Sequence, residues 1–65
     1  MTGLERTLLL RHYYWNKYTE ILNKEYSEEE IEKGYESLAE KGYIKNNKRS
    51  YKLTEKGSAW LALNK

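Results

Sequence analysis

The sequence predicts a mostly helical α+β domain whose second half runs helix, two-stranded hairpin, helix. Three observations predict it: a capped, glycine-terminated helical stretch from Ser27 to Gly42, apolar and basic residues alternating about a polar run between Ile44 and Leu53, and a new helix start at Thr54.

Met1 to Gly3 reads as a frayed end. From there Leu4, Leu8, Trp15, Tyr18 and Leu22 recur at helical spacing, with Leu10, Tyr14 and Ile21 widening the stripe and Arg11 interrupting it. Trp15, Tyr18 and Tyr14 are therefore expected in the core, while Tyr13 points elsewhere on the wheel. Neither Gly nor Pro occurs between residues 4 and 33, so the residues permit one long helix through Asn23.

Ser27 begins the next helix. Its side chain suits the N-cap, Glu30 stands where it can reach back to the serine N–H, and Tyr26 and Ile31 occupy the two staple positions. Glu28 and Glu29 fall in the first turn, where the helix dipole favours carboxylates. Apolar residues follow at 31, 35 and 38, the spacing of one buried stripe. Gly42 closes the helix after Lys41, with Tyr43 placed to touch Leu38 as in a Schellman ending, so the helix spans about Glu28 to Lys41. Gly34, in its middle, costs roughly 1 kcal/mol relative to alanine. A neighbouring helix passing close at that point accounts for it.

Ile44 and Leu53 then alternate with Lys45 and Lys52 around Asn46-Asn47-Lys48-Arg49-Ser50, the pattern of two short antiparallel strands. Pairing Ile44 with Leu53 sets Lys45 opposite Lys52. Thr54 caps a last helix carrying Trp60, Leu61 and Leu63. Trp60 with Leu63 either closes the core beside Leu4 and Leu8 or forms a dimer seam.

Leu38, Gly42, Ile44, Tyr51, Leu53, Thr54 and Gly57 stand in an L-x-x-x-G-h-h, hairpin, x-L-T-x-x-G order that resembles the second half of a winged helix-turn-helix domain of the MarR-like and PadR-like transcription regulators. The resemblance covers residues 27 to 57. It implies a three-helix core, a two-stranded wing and a short C-terminal helix in one domain over residues 1–65. It divides the first half into a helix to about Trp15, a break near Asn16 and Lys17, and a second helix from about Tyr18 to Lys24. Glu25 to Ser27 is then the turn and the helix after Ser27 the recognition helix. It also implies double-stranded DNA as the partner, with the wing along the minor groove.

Composition limits the alternatives. Phe, Pro and Cys are absent, so the two Trp and seven Tyr supply the largest apolar surfaces and no disulfide framework exists. No apolar run is long enough to span a bilayer, and no signal peptide is visible, which points to the cytoplasm and away from membranes. His12 is the only histidine and Asp is missing, so neither a metal site nor a nucleophilic triad has its residues, and no cofactor or catalytic residue is expected. The glutamates lack an apolar setting that would raise a pKa for acid–base work. The net charge of +2 is unevenly spread: residues 1 to 26 carry +1, residues 27 to 40 carry −5, and residues 41 to 65 carry +6.

Lys45, Lys48, Arg49 and Lys52 lie within eight residues without an intervening acid. Directly opposed lysines weaken a hairpin, and a phosphate between them relieves that cost. Against this stands a solvated loop whose lysines protect strand edges. On the recognition helix the positions that face the major groove in the resembled families match Glu29, Glu30, Glu32, Lys33 and Ser37. Three of those are acids beside a duplex carrying one charge per roughly 1.7 Å of axis. Helix capping explains Glu28, Glu29 and Glu30, but Glu32, Glu36 and Glu40 form an acidic ridge at i, i+4 spacing. Two readings follow. In the favoured one, DNA is held by the wing, with Lys17, Lys33 and Ser37 in support. In the other, Glu29, Glu32 and Glu36 dock on a basic protein and the domain is an adaptor, an inhibitor or a nucleic-acid mimic. A monomer or weak homodimer is expected, since the last helix is short.

Overall fold

Leu8, Leu9 and Leu22 expose no surface, and burying all three requires the first half of the chain to fold back on itself. The computed structural model, which describes residues 1–48 and 50–65, shows how. Helix α1 (Gly3–Arg11) gives way at His12–Tyr14 to α2 (Trp15–Glu25), and α3 (Glu28–Glu40) follows after Tyr26 and Ser27. The strands β1 (Ile44–Asn47) and β2 (Ser50–Leu53) form an antiparallel wing, and α4 (Glu55–Asn64) closes the domain. Three helices, a two-stranded wing and a closing helix make a winged-helix-like α+β fold.

The first break comes earlier than the Asn16–Lys17 position expected. His12 N–H donates to the Leu9 carbonyl and the Tyr13 and Tyr14 N–H groups both donate to Leu10, so α1 tightens and ends without glycine or proline. Turning there brings Leu22 back onto Leu8 and Leu9. It also leaves Tyr14 and Trp15 outside the core, at 41% and 55% exposure, and Tyr18 only half-buried. Tyr35 is buried as its spacing implies, but the core places expected of Tyr14, Trp15 and Tyr18 are filled by leucines, Leu9 among them. Burying each stabilises the fold by about 1.5–3 kcal/mol.

The N-terminus is not frayed either. Thr2 caps α1 in a reciprocal box: its hydroxyl accepts from the Glu5 N–H at 3.1 Å and the Glu5 carboxylate accepts from the Thr2 N–H at 2.9 Å. The same box opens α3, between Ser27 and Glu30 at 3.2 and 3.0 Å. At the other end the Gly42 N–H donates to Ala39 and the Tyr43 N–H to Leu38, the paired bonds of a Schellman motif, with Gly42 at φ 85°. Gly34 lies under α1: a Cβ there would come within 2.7 Å of Leu8 Cδ1, so the close helix approach is real.

The wing pairs Ile44 with Leu53, Lys45 with Lys52, Asn46 with Tyr51 and Asn47 with Ser50. Alternation turns Ile44, Tyr51 and Leu53 toward the core and Lys45 and Lys52 outward. One residue then joins three elements. Thr54 Oγ1 accepts from the Gly57 N–H to start α4 and donates to the Gly42 carbonyl at the end of α3, while the Thr54 N–H extends the wing ladder to the Tyr43 carbonyl. Lys56 Nζ donates to the Lys41 carbonyl at 2.7 Å beside them. On α4, Leu61 is buried and Trp60 packs half-buried on the core. Leu63, at 87% exposure, does not close the core.

Candidate functional site

A two-residue connection at the wing tip follows from the register, since Asn47 opposes Ser50. Lys48 occupies its first position and is exposed; Arg49 lies outside the described residues. Behind the tip, Lys45 and Lys52 face one another on the outward side of the hairpin and both are exposed. No carboxylate comes within salt-bridge distance of Lys45, Lys48 or Lys52 among the described residues, where the single ion pair joins Lys41 to Glu5. The wing therefore presents three uncompensated ammonium groups, and the cross-strand pair carries a repulsion on the order of 0.2–1 kcal/mol.

The remaining sequence-predicted residues are placed less uniformly. Lys17 is exposed on α2, with its ammonium 5.5 Å from the Tyr18 ring centroid and 6.0 Å from that of Tyr14. Lys33 is exposed on the flank of α3 that borders α1, lining a shallow groove with Thr2, Leu4, Gly34 and Ser37. Ser37 is half-buried and its hydroxyl donates to Glu5 Oε2 at 3.0 Å. That hydroxyl ties α3 to α1. Glu29, Glu32, Glu36 and Glu40 are all exposed, on the side of α3 opposite Leu38, with no cation paired to them among the described residues.

Sequence reasoning missed Glu5. Buried under α3, it accepts from Lys41 Nζ at 2.8 and 3.1 Å, from Ser37 and from Thr2. These partners, the Lys41 ammonium foremost, hold its carboxyl at about 2, against the ordinary 4.5, in spite of burial. A T-x-x-E cap signal was present in the sequence, but its partner stands 36 residues away. The charge of Lys41, whose side chain stays 45% exposed, is thereby paired within the fold rather than adding to the uncompensated positive charge of residues 41 to 65. His12 is a second polar group with a local anomaly: burial, and then the Arg11 charge, pull its pKa below the usual value, and its Nε2 has no hydrogen-bond partner among the described residues. No three His, Cys, Asp or Glu side chains gather as a metal site among the described residues, and no helix there is long and apolar enough to cross a membrane.

These elements define a winged-helix-like domain with a basic wing and an acidic third helix. No protein-family model, no curated protein and no solved structure matches the chain.

Proposed function

We propose that this domain binds double-stranded DNA through the phosphate backbone, held by the wing cations Lys45, Lys48 and Lys52 with Lys17 in support. The observation that carries the reading is the Lys45–Lys52 juxtaposition next to Lys48 without a neutralising carboxylate. Phosphates drawn to the two ammonium groups, one to each, turn a repulsion within the hairpin into charge-assisted contacts. The acidic side of α3 disfavours insertion of that helix into the major groove, and the bonding of Ser37 to Glu5 removes one of its expected contacts. Backbone binding of this kind is weakly selective for sequence, because phosphate contacts position a protein without reading bases.

Titrating the chain with random duplex DNA at increasing salt measures this directly. A slope of log K against log salt of about −3 is expected from three neutralised phosphates. Replacing Lys48 by alanine, or Lys52 by alanine, flattens the slope by about one unit each while leaving the helical circular-dichroism spectrum unchanged. Absence of binding at low salt rejects the proposal. A second reading has its own observation: Glu29, Glu32 and Glu36 form an exposed, unpaired acidic face suited to a basic protein surface. Glu32→Lys separates the two, since it strengthens DNA binding in the first reading and abolishes a protein complex in the second.

A further inference from the structure

Beside the tip-proximal half of β2, the α1–α2 turn, α3 and β2 enclose a cleft of about 340 Å³ lined by Arg11, His12, Trp15, Tyr35, Ser50 and Tyr51. Neither the wing reading nor the acidic face of α3 accounts for it. Its walls are aromatic: Tyr35 and Tyr51 stack in parallel with centroids 4.2 Å apart, and Trp15 leaves more than half of its surface open. Its polar groups are nearly all donors or free to donate. The Arg11 guanidinium lies 4.1 Å from the Trp15 ring centroid, bonds Thr19 through Nε at 3.0 Å and approaches the Tyr35 hydroxyl through Nη1 at 3.4 Å. Of its five N–H donors, three remain unused among the described residues. Ser50 contributes an exposed hydroxyl, whereas the His12 Nε2, though unpartnered among the described residues, lies buried in the wall.

We infer that this cleft holds a single nucleotide, its base stacked on Trp15 and its phosphate received by Arg11 and Ser50. The open part of the Trp15 ring asks for a planar partner, and a guanidinium and a hydroxyl beside it ask for an anion attached to that partner. The volume sits at the lower end of ligand-holding clefts, roughly 300–1,000 Å³, which suits one nucleotide and excludes a duplex. Position selects the source. Ser50 is the first residue of β2, directly after the tip that carries Lys48, so an anion in the cleft continues the phosphate track of the wing. A cationic track ending on an aromatic platform is the combination that holds unpaired nucleic acid. The inference rests on the wing reading for its preferred source, an unpaired nucleotide at a strand end or gap; a free nucleotide has the same chemistry.

Two labelled duplexes that differ only in one unpaired, 5′-phosphorylated adenosine test it by anisotropy, with adenosine 5′-monophosphate as a separate probe. The overhang duplex binds about tenfold tighter than the blunt one. Trp15→Ala brings the two duplexes to within about twofold of each other, and Ser50→Glu, which sets a carboxylate in the exposed mouth, does the same. In a Trp60→Phe chain, where Trp15 is the sole indole, adenosine 5′-monophosphate quenches the fluorescence saturably. Quenching without an overhang preference assigns the cleft to a free nucleotide. Equal binding of the duplexes with no quenching overturns the inference, as does an overhang preference that survives both variants. If blunt duplex still binds with a steep salt slope in that case, the wing reading stands alone. Quenching with no duplex binding leaves the cleft and removes the wing reading.

Discussion

Gly57→Ala lowers the stability of the domain by about 2–3 kcal/mol. The opposite sign is the default, because alanine exceeds glycine in a helix interior by roughly 1 kcal/mol and Gly57 lies in the first turns of α4. Here the space is taken. A Cβ on Gly57 would collide with the Tyr43 carbonyl oxygen and stand 3.0 Å from Leu53 Cδ2. The Leu53 methyl can turn away, but the carbonyl cannot, since it accepts the Thr54 N–H at 3.1 Å and belongs to the junction of α3 with the wing. Relief requires α4 to lift off, which strains the Thr54 bonds to Gly42 and Gly57 together. A domain of 65 residues holds only about 3–10 kcal/mol in total. The urea midpoint and the melting temperature of the variant should therefore fall steeply, the latter by about 10–20 °C. A variant as stable as the parent would mean that α4 is not seated on the Tyr43 carbonyl.

Acid should expose the second large effect. Glu5 ionises at about 2 in the folded chain and near 4.5 when unfolded, so the folded state prefers its charged form. Stability from this group is complete above pH 4.5 and is lost as pH falls from there through about 2, because the unfolded chain takes up the proton first. The shift corresponds to about 1–3 kcal/mol, after allowance for the solvent reaching the Lys41 side chain, which is 45% exposed. Urea unfolding of the parent and of Glu5→Gln at intervals between pH 5 and pH 2 reads it out. The parent loses stability faster than the variant, and the two curves converge near pH 2. At neutral pH Lys41→Met is the more damaging change, since it strands a carboxylate that is 3% exposed with only Thr2 and Ser37 to bond it, whereas Glu5→Gln leaves an ammonium that reaches water. Parallel pH profiles for parent and Glu5→Gln would show that the pair carries no linkage.

The same two residues mark how far local pattern reaches. Both capping boxes, the glycine ending at Gly42, the Ile44–Leu53 register and the Thr54 cap involve groups a few residues apart, or strands joined by a short loop. A side chain and the backbone beside it settle those arrangements. The close passage over Gly34 was legible for a related reason: a glycine in a long helix costs free energy that only a near neighbour offsets. The wing candidates were found the same way, as a run of cations whose register follows from two apolar residues. By contrast, the α1–α2 boundary carries no glycine or proline, and helical periodicity continues across it. What ends α1 is the requirement that Leu22 return to Leu8 and Leu9, a long-range burial with no local mark. Trp15 and Tyr14 reach solvent as a consequence of that turn, although their spacing matches the buried stripe.

By itself the sequence determined where α3 and α4 start, where α3 ends, how the wing pairs and that it displays Lys45, Lys48 and Lys52, because each depends on hydrogen bonds and torsions within a short span. Only the tertiary structure decided which large side chains are covered, that Ser37 and Lys41 serve Glu5, and that Arg11, His12, Trp15 and Tyr51 meet in one cleft. Those outcomes depend on segments tens of residues apart being pressed together by apolar burial, and the energy of that contact is written in no single stretch of chain.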